Sequence, residues 1–600
     1  MVKTDFLIIG GGPAGLSAAI ETSKRGLKTL IVDEGVELGG QLVKQTHKFF
    51  GHEGFYASVR GFEIAKRLIS QLNENVTIMN QTTVTGIYED IITAYDREND
   101  LIVEIEPKYI LISVGASERF IPFENNHLPG IYGAGAVQTL MNQFKVLPGK
   151  RVLMVGSGNI GLIVSYQLLQ AGAQVKAIVE ITERVGGYQV HAAKVKRLGV
   201  PILLRHTIVK AIGDEKVEGA VIAQVDEKFN VIPGTERELA VDVICIAVGL
   251  VPSIELAQMA GVKIEYIPEL GGFVPFRDRE MRTNIKNIFV AGDLAGIEEA
   301  TTAMIEGKIV GVAVARDLTG IDLQEDLEKM QKELVEFRSG PFSDKVRKGL
   351  ERFFPQSAHS YSKDAQQDLG PTGKLRPIIE CFENIPCNPC QTSCPSGAIT
   401  VPGNINSLPL IDYSKCTGCG ICAMKCPGLA IFMVQENHQP GRDLIVLPYE
   451  FLPLPEKGQK VIALDREGRE VGQAEIVKVV KSSNKTHLVH LSVPAGLAQV
   501  VRSFRIPQKS DSIVCRCEEI TVEEIERAID EGYTDYEELR RYLRIGMGPC
   551  GGRTCRVITL SILARKTKKS IQEIGCGTFR PPSMPVKFDS IVKGEIDNEK

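Results

Sequence analysis

Eight cysteines between positions 381 and 426 form two runs spaced like iron–sulfur ligands. Cys416-x2-Cys419-x2-Cys422-x3-Cys426-Pro427 has the form in which three thiolates on one tight loop hold one cubane and the fourth, before proline, crosses to another. The partner run is Cys381-x5-Cys387-x2-Cys390-x3-Cys394-Pro395. Crossed pairing predicts one [4Fe–4S] cluster on Cys381, Cys387, Cys390 and Cys426, and a second on Cys416, Cys419, Cys422 and Cys394. The first run has five residues where two are usual, and Asn384 stands at the ordinary ligand position, so Cys381 must reach in from a longer loop. A three-iron or labile form is the alternative for that cluster. A third group, Cys515-x-Cys517, then 32 residues, then Cys550-x4-Cys555, places four thiolates on loops between short helices, which suits a [2Fe–2S] cluster. Zinc is the competing reading of such thiolate groups, but the cysteine density and the two Cys-Pro ends point the first two runs to iron and sulfide.

What must feed electrons to such ligands lies upstream. Phe6–Ile9 reads as a buried strand, followed by Gly10-Gly11-Gly12-Pro13-Ala14-Gly15, a helical stretch Leu16–Arg25 and a strand Thr29–Val32 ending at Asp33-Glu34. Gly10, Gly12 and Gly15 allow the tight turn, the close approach of a pyrophosphate and close helix packing, and the helix N-terminus offers free N–H groups to the phosphates. Asp33, 23 residues after Gly10, stands where a carboxylate accepts ribose hydroxyls. The grammar repeats: strand Val152–Val155, Gly156-Ser157-Gly158-Asn159-Ile160-Gly161, helix Leu162–Ala171, and strand Val175–Val179 ending at Glu180. A carboxylate there favours NAD(H) over NADP(H), a preference moderated by nearby Arg184. The alternative is a retained adenine-nucleotide site without hydride chemistry.

Asn287–Val290 running into Ala291-Gly292-Asp293, followed by Thr301-Thr302-Ala303, resembles the second FAD signature of flavoproteins with two dinucleotide domains. Gly39-Gly40-Gln41-Leu42 resembles their flavin-contacting loop. Leu111–Val114 with Gly115-Ala116, and Ile246–Val248 with Gly249, resemble the strands that return the chain between the two domains. The resemblance implies FAD contacts from Gly40, Gln41, Gly115, Ala116, Gly292, Asp293 and Thr301 beside the first loop, and an NAD contact from Gly249 beside the second. The expected fold is α/β, with two Rossmann-like domains of the pyridine nucleotide-disulfide oxidoreductase type. The FAD domain comprises 1–117 and 251–320, with the NAD domain, 118–250, inserted. Residues 1–244 contain no cysteine and Cys245 is alone in an apolar strand, so this half lacks the redox pair of a disulfide reductase.

A helical linker is expected over 321–375, with a charged stretch Leu323–Phe337 and a polar segment 356–372. A bacterial ferredoxin-like α+β domain follows at 376–432, then a small β-rich insert at 433–510 with strands near Gln459–Leu464, Ala474–Val480 and His487–Val493. His487 and His490 read as strand histidines. Residues 511–580 resemble the bacterioferritin-associated-ferredoxin type of helical [2Fe–2S] domain, with capping boxes at Thr521-x-x-Glu524 and Thr534-x-x-Glu537, and 581–600 form a tail. Cys576 is left unassigned. A net charge of −4, 43% hydrophobic and 24% charged residues describe an ordinary globular chain with no basic face for nucleic acid. No run of 18 apolar residues occurs, and Met1–Asp5 leads directly into a strand, so no membrane span and a cytoplasmic location are expected.

Across 1–320 and 510–585 the chain resembles the large flavin subunit shared by multi-subunit dye-linked L-proline dehydrogenase, D-hydroxyproline dehydrogenase, opine oxidase and hydrogen cyanide synthase. His127-Leu128-Pro129-Gly130, Gln138–Asn142, Leu147–Arg151 and Arg580-Pro581-Pro582 carry that resemblance. It implies an electron-transfer subunit whose partner, a second FAD subunit, oxidises an amino or imino acid. The two-cubane segment extends beyond the shorter members and suggests delivery to ferredoxin or NAD. The flavin itself would be the reacting centre, so no catalytic side chain is named. The alternative is a stand-alone NADH:acceptor or NADH:ferredoxin oxidoreductase; a non-enzymatic iron–sulfur scaffold is disfavoured by the intact flavin signatures.

Overall fold

The computed structural model describes residues 1–89, 91–355, 370, 373–507, 512–575 and 577; most of the expected polar linker, Cys576 and the tail lie outside them. The described chain divides into two compact units, with the boundary between Arg505 and Ile506.

In the first unit, the strand Val2–Ile9 is buried over its second half, because Phe6–Ile9 is apolar on both faces, as a parallel sheet covered by helices requires. It pairs in parallel with Thr29–Val32 on one side and Leu101–Ile112 on the other. Val76–Met79 and Ile288–Val290 extend the parallel part, and Ile91–Asp96 and Thr82–Tyr88 add an antiparallel wing. The second glycine loop belongs to a five-stranded parallel sheet ordered Ile202–Leu204, Gln174–Glu180, Arg151–Val155, Val243–Ile246, Ile131–Gly133. Cys245 lies inside that sheet with no exposure, and burial pushes its thiol up, as suits a small core residue. The ribbon Ala116–Glu118 paired with Leu250–Pro252 joins the two sheets.

The helix Pro13–Ser23 starts with proline in its first turn, where the missing N–H is no loss. It packs on the long helix Ala300–Thr319 through small residues four apart. A Cβ on Gly307 would stand 2.0 Å from Ala14 O, and one on Gly311 2.6 Å from Ala18 O. That near-backbone contact sets Gly292 and Thr301 close to the first glycine loop.

The ferredoxin-like segment and the β-rich segment share one antiparallel sheet. Its strand order is Arg376–Ile379, Ile431–Gln439, Arg442–Tyr449, His487–Pro494, Glu470–Val480, Lys460–Leu464, Ser503–Arg505. Ile431–Gln439 runs straight across the expected boundary at 432, because the apolar run Ile431–Val434 is buried in this sheet. The cluster-run loops protrude from it, braced by the small ribbon Ile399–Thr400 with Leu410–Ile411.

The second unit holds the helices Val522–Asp530, Tyr536–Leu543 and Arg556–Thr567 around a small apolar core that includes Cys515 and Cys555. Thr521 and Glu524 form the expected capping box. The second helix is capped one residue later than expected, because Asp535 accepts from both Glu537 N–H and Glu538 N–H. Among the described residues, no helix is long and apolar enough to cross a membrane.

Gly307→Ala should cost about 1–3 kcal/mol through overpacking against Ala14. Thermal denaturation of the flavin-loaded chain should show a clear drop in Tm, and an unchanged Tm would mean that the two helices can separate without penalty.

Candidate functional site

The two glycine loops are built alike, residue for residue. A Cβ on Gly10 would meet Ser113 O at 2.5 Å, and one on Gly156 would meet Ala247 O at 2.3 Å. Gly15 and Gly161 close the first helical turn against Gly10 O and Gly156 O, where a Cβ would come to 2.1 and 2.3 Å. Gly12 and Gly158, the helix N-caps, have open space where a side chain would go. That is the backbone a pyrophosphate needs; the first loop presents it open, while over the second Gly187 packs on the helix start, where a Cβ would stand 2.6 Å from Asn159 N.

Their carboxylates are bound differently. Asp33 accepts from Gly11 N–H and from Gly35 N–H, each at 2.7 Å, which leaves acceptor capacity on both oxygens. Glu180 accepts from Ser157 N–H and Oγ at 2.9 and 2.7 Å, and from Thr182 N–H and Oγ at 3.0 and 2.9 Å. The Thr182 hydroxyl has a single proton and also lies 2.7 Å from Arg184 O, so when it donates there Glu180 Oε1 keeps acceptor capacity. Residues 186–188 also lie across the second loop: Gly187 N–H donates to Ser157 O at 2.9 Å and Tyr188 N–H to Asn159 Oδ1 at 2.8 Å. Ile160 is half-exposed on the first turn.

Around the first loop, Gly40 and Gln41 begin a short turn whose Gly40 lies against Gly12, and Glu34 is exposed beside it. Gly115, at φ +74°, and Gly249, at φ +117°, each face open space, and Ala116 begins the joining ribbon. Asp293 follows Gly292 on the strand Ile288–Val290 side of the cleft, and its carboxylate accepts from Glu298 N–H at 3.3 Å. Desolvation raises Asp293 to about 7, so its buried oxygens have room for a further donor. Gly292 N–H donates to Glu306 at 2.8 Å, and Arg338 bridges Glu306 and Glu298 beneath the loop. Thr301 is buried at the start of the long helix, 3.5 Å from where a Gly51 Cβ would stand.

The cysteine runs are drawn together in the crossed arrangement. Cys394, Cys416, Cys419 and Cys422 line one cavity with Pro395 and Gly420. Cys381, Cys387 and Cys390 each feel Cys426 electrostatically, and burial with that mutual repulsion pushes their thiols up, Cys381 to about 12. Cys390 and Cys422 interact across the two sets. At each Cys-Pro end the thiol accepts from a backbone N–H four residues on, Ala430 N–H to Cys426 at 3.4 Å and Ala398 N–H to Cys394 at 3.3 Å. Asn384, at the ordinary ligand position, is buried and donates to Asn406 O at 2.8 Å, so it anchors the longer loop. Among the described residues no three His, Cys, Asp or Glu side chains converge as around a single metal ion. Clustered soft thiols whose ligation requires loss of their protons are a donor set that fits an iron–sulfur core.

The first set also touches the flavin-type half. Asn388 N–H donates to Gly51 O at 3.0 Å, and Gly51 N–H is directed to the Cys387 thiol. Phe50, Tyr188, Val190, Ile385 and Ala430 pack against Cys381, Cys387 and Cys426. Two features escaped the sequence reading: this contact at Gly51, and a set of buried cations behind Cys426. Lys48 Nζ donates to Met424 O at 2.9 Å, Lys194 Nζ to Pro427 O at 2.8 Å, and Arg197 to Leu429 O at 3.1 Å.

In the second unit, Cys517 and Cys550 interact directly, which lowers the Cys550 thiol to about 7, and Cys515 interacts with Cys555, whose thiol is raised to about 11. The four cysteines therefore share one locality at the loop Gly546–Gly552, where a Cβ on Gly548 would strike Cys517 Cβ at 2.3 Å. His487 accepts from Ser482 N–H at 3.0 Å, an ordinary strand-end contact.

With this geometry in place, comparison places the chain. Residues 4–307, just over half of it, match the pyridine nucleotide-disulphide oxidoreductase family, and the chain belongs to that family. It is an oxidoreductase with a FAD-type domain, and residues 409–432 match a 4Fe-4S binding domain that contains Cys416, Cys419, Cys422 and Cys426. Residues 509–595 match the sarcosine oxidase A3 domain. An opine oxidase subunit of Agrobacterium tumefaciens (strain Ach5) is 26% identical over 341 residues, covering 53% of this chain and 67% of that one. The sarcosine oxidase alpha subunit of Corynebacterium sp. (strain P-1) is 27% identical over 330 residues, covering 52% of this chain but only 32% of its own length. The solved L-proline dehydrogenase from P. horikoshii aligns over 98% of this chain and 79% of its own, at 19% identity and a TM-score of 0.43.

If the first loop holds the flavin, Asp33→Ala should weaken FAD binding about tenfold or more, since bonds to a charged acceptor are worth about 1.5–3 kcal/mol each. Glu180→Ala should leave flavin content unchanged. FAD released per chain on denaturation reads both, and the opposite pattern would place the flavin on the second loop.

Proposed function

We propose that this chain is the flavin and iron–sulfur electron-transfer subunit of a heteromeric amino- or imino-acid dehydrogenase of the proline type. The observation that carries the reading is the seating of the Cys387–Cys390 loop on Gly51, beside Thr301 and the first glycine loop. The similarity to named oxidase subunits supports a partner that oxidises the substrate. FAD is assigned to the loop Gly10–Gly15, two [4Fe–4S] clusters to the crossed cysteine sets and one [2Fe–2S] cluster to Cys515, Cys517, Cys550 and Cys555. NAD(H) is assigned to the loop Gly156–Gly161, and ferredoxin is the alternative acceptor.

When bound, the flavin exchanges electron pairs for single electrons, which the clusters carry. The chain's own residues bind and align. With the cofactors bound, the helix N-termini at Gly12 and Gly158 would face the pyrophosphates, Asp33 would take the ribose and Asp293 would receive a ribitol hydroxyl. Asp293, raised to about 7, keeps that hydrogen bond whether it is the acceptor or the donor. Ala430 N–H and Ala398 N–H orient the Cys426 and Cys394 sulfurs. With the Thr182 hydroxyl donating to Arg184 O, Glu180 Oε1 would accept a ribose hydroxyl while Oε2 keeps its two Ser157 contacts. A stand-alone NADH:acceptor oxidoreductase is the second reading, favoured by the match in backbone between the second glycine loop and the first.

Anaerobic titration of the purified chain with NADH, followed by the flavin and iron–sulfur absorption bands, separates the two. Bleaching by NADH with turnover of an artificial acceptor, in the absence of any partner, supports the stand-alone reading. Bands that respond to dithionite and to a co-purified amine-oxidising subunit with its substrate, but not to NADH alone, support the subunit reading. A chain without flavin or iron overturns both.

A further inference from the structure

Behind Cys426 the fold buries more positive charge than it answers. Lys48 and Lys194 are 2% and 4% exposed, and each spends its ammonium on a backbone carbonyl of the segment that carries Cys426, at Met424 and Pro427. Arg60 and Glu450 complete the group: Arg60 Nη2 lies 3.2 Å and Lys48 Nζ 3.9 Å from Glu450 Oε1, and Thr486 donates to the same oxygen. Three cations therefore share one carboxylate. Arg197, on Leu429 O, is answered separately by Glu380, which also takes Arg466 and Arg502. The lysines' remaining titratable neighbours add no negative charge, and the carboxylate that faces Cys381 is Glu383. His47 is pushed down to about 3, and His191 is held low as well, so both are neutral.

Desolvation lowers Lys194 to about 7 and Lys48 to about 8 when Glu450 is the nearest counter-charge. Both lysines are anchored on the segment that carries Cys426 and face that thiol as well as Glu450, so an anion built on Cys426 would favour their charged form. A cubane on four thiolates is that anion. Among the described residues, the cavity of the second cysteine set has no charged lining: apart from the cysteines it is lined by proline, serine, alanine, isoleucine, threonine, glycine and methionine.

Resting on the cluster assignment made above, we infer that Lys48 and Lys194 are positioning residues that raise the reduction potential of the cluster on Cys381, Cys387, Cys390 and Cys426. Reduction adds one electron and breaks no bond, so its free energy depends on how the surroundings receive one more negative charge. Burial beside Phe50, Tyr188 and Ile385 opposes that charge and alone would make the cluster hard to reduce. The surplus ammonium groups offset the burial and keep the cluster reducible by a flavin. Glu450, the one carboxylate in the group, acts in the opposite direction by damping the two lysines.

The test is an EPR-monitored anaerobic redox titration of the full holo-chain, with iron content measured in parallel. Lys194→Met and Lys48→Met should each shift one of two [4Fe–4S] midpoints to more negative potential and leave the other in place. Glu450→Gln should shift that same midpoint upward, and Lys194→Arg should hold it near the wild-type value. A purely structural role would not give opposite signs for the lysine and glutamate variants at unchanged iron content. If a lysine variant fails to assemble, the sign of the Glu450→Gln shift decides, and no shift or a downward one overturns the inference. Two wild-type midpoints that no substitution moves overturn the lysine role alone. A wild-type chain without two [4Fe–4S] signals overturns the cluster assignment and the lysine role with it.

Discussion

A thiol set that trades single electrons with a flavin must be held against the flavin's own domain, and here the holding is done largely through backbone carbonyls. Gly51 O receives Asn388 N–H on one side of the first set. On the other side, Met424 O, Pro427 O and Leu429 O receive Lys48, Lys194 and Arg197. Lys48 comes from the flavin-type domain, and Lys194 and Arg197 from the inserted nucleotide domain. The helix Gln189–Lys196 adds a further tie, with Gln189 N–H donating to Glu383 at 2.6 Å and Val190 packed on Gly428. Carbonyls are always present and cannot be lost by a side-chain change, so the dock needs only a few long cationic side chains aimed correctly. The cost is buried charge, which makes sense only beside an anion.

The same economy explains why two nearly identical glycine loops behave differently. Both cradles rest on close approaches to a neighbouring strand, at Ser113 and Ala247. They diverge at the residue after the second strand. Asp33 ties down two backbone N–H groups and keeps acceptor capacity, whereas Glu180 is more heavily engaged, by Ser157 N–H and Oγ, by Thr182 N–H, and by a Thr182 hydroxyl it shares with Arg184 O. One carboxylate is ready for a ligand and the other is, in this conformation, part of the protein's own hydrogen bonding.

Much of this was legible in the sequence. Gly10, Gly156 and their following helices announced themselves by local pattern, as did the strand at His487 and the charged helix at Gln324–Phe337. The crossed grouping of Cys394 with Cys416, Cys419 and Cys422 is the one the ferredoxin-type run pattern predicts, and those four cysteines line one cavity. Other features were not legible. Thr534 and Asp535 are both good caps, and only the helix geometry chooses the carboxylate that reaches two N–H groups. The shared sheet through Ile431–Gln439 depends on strand partners far along the chain. Lys48 and Lys194 look like any surface lysine, since their partners lie 376 and 233 residues away. Glu180 carried the expected residue type, but whether its oxygens were free depended on hydroxyls at Ser157 and Thr182.

Iron anomalous scattering from anaerobic crystals of the chain tests the central claim most directly. The account predicts two compact iron centres in the first unit. One lies within ligating distance of Cys381, Cys387, Cys390 and Cys426 beside Gly51, and the other within that distance of Cys394, Cys416, Cys419 and Cys422. A single centre, iron on uncrossed cysteine runs, or a zinc-edge signal at either set would contradict it.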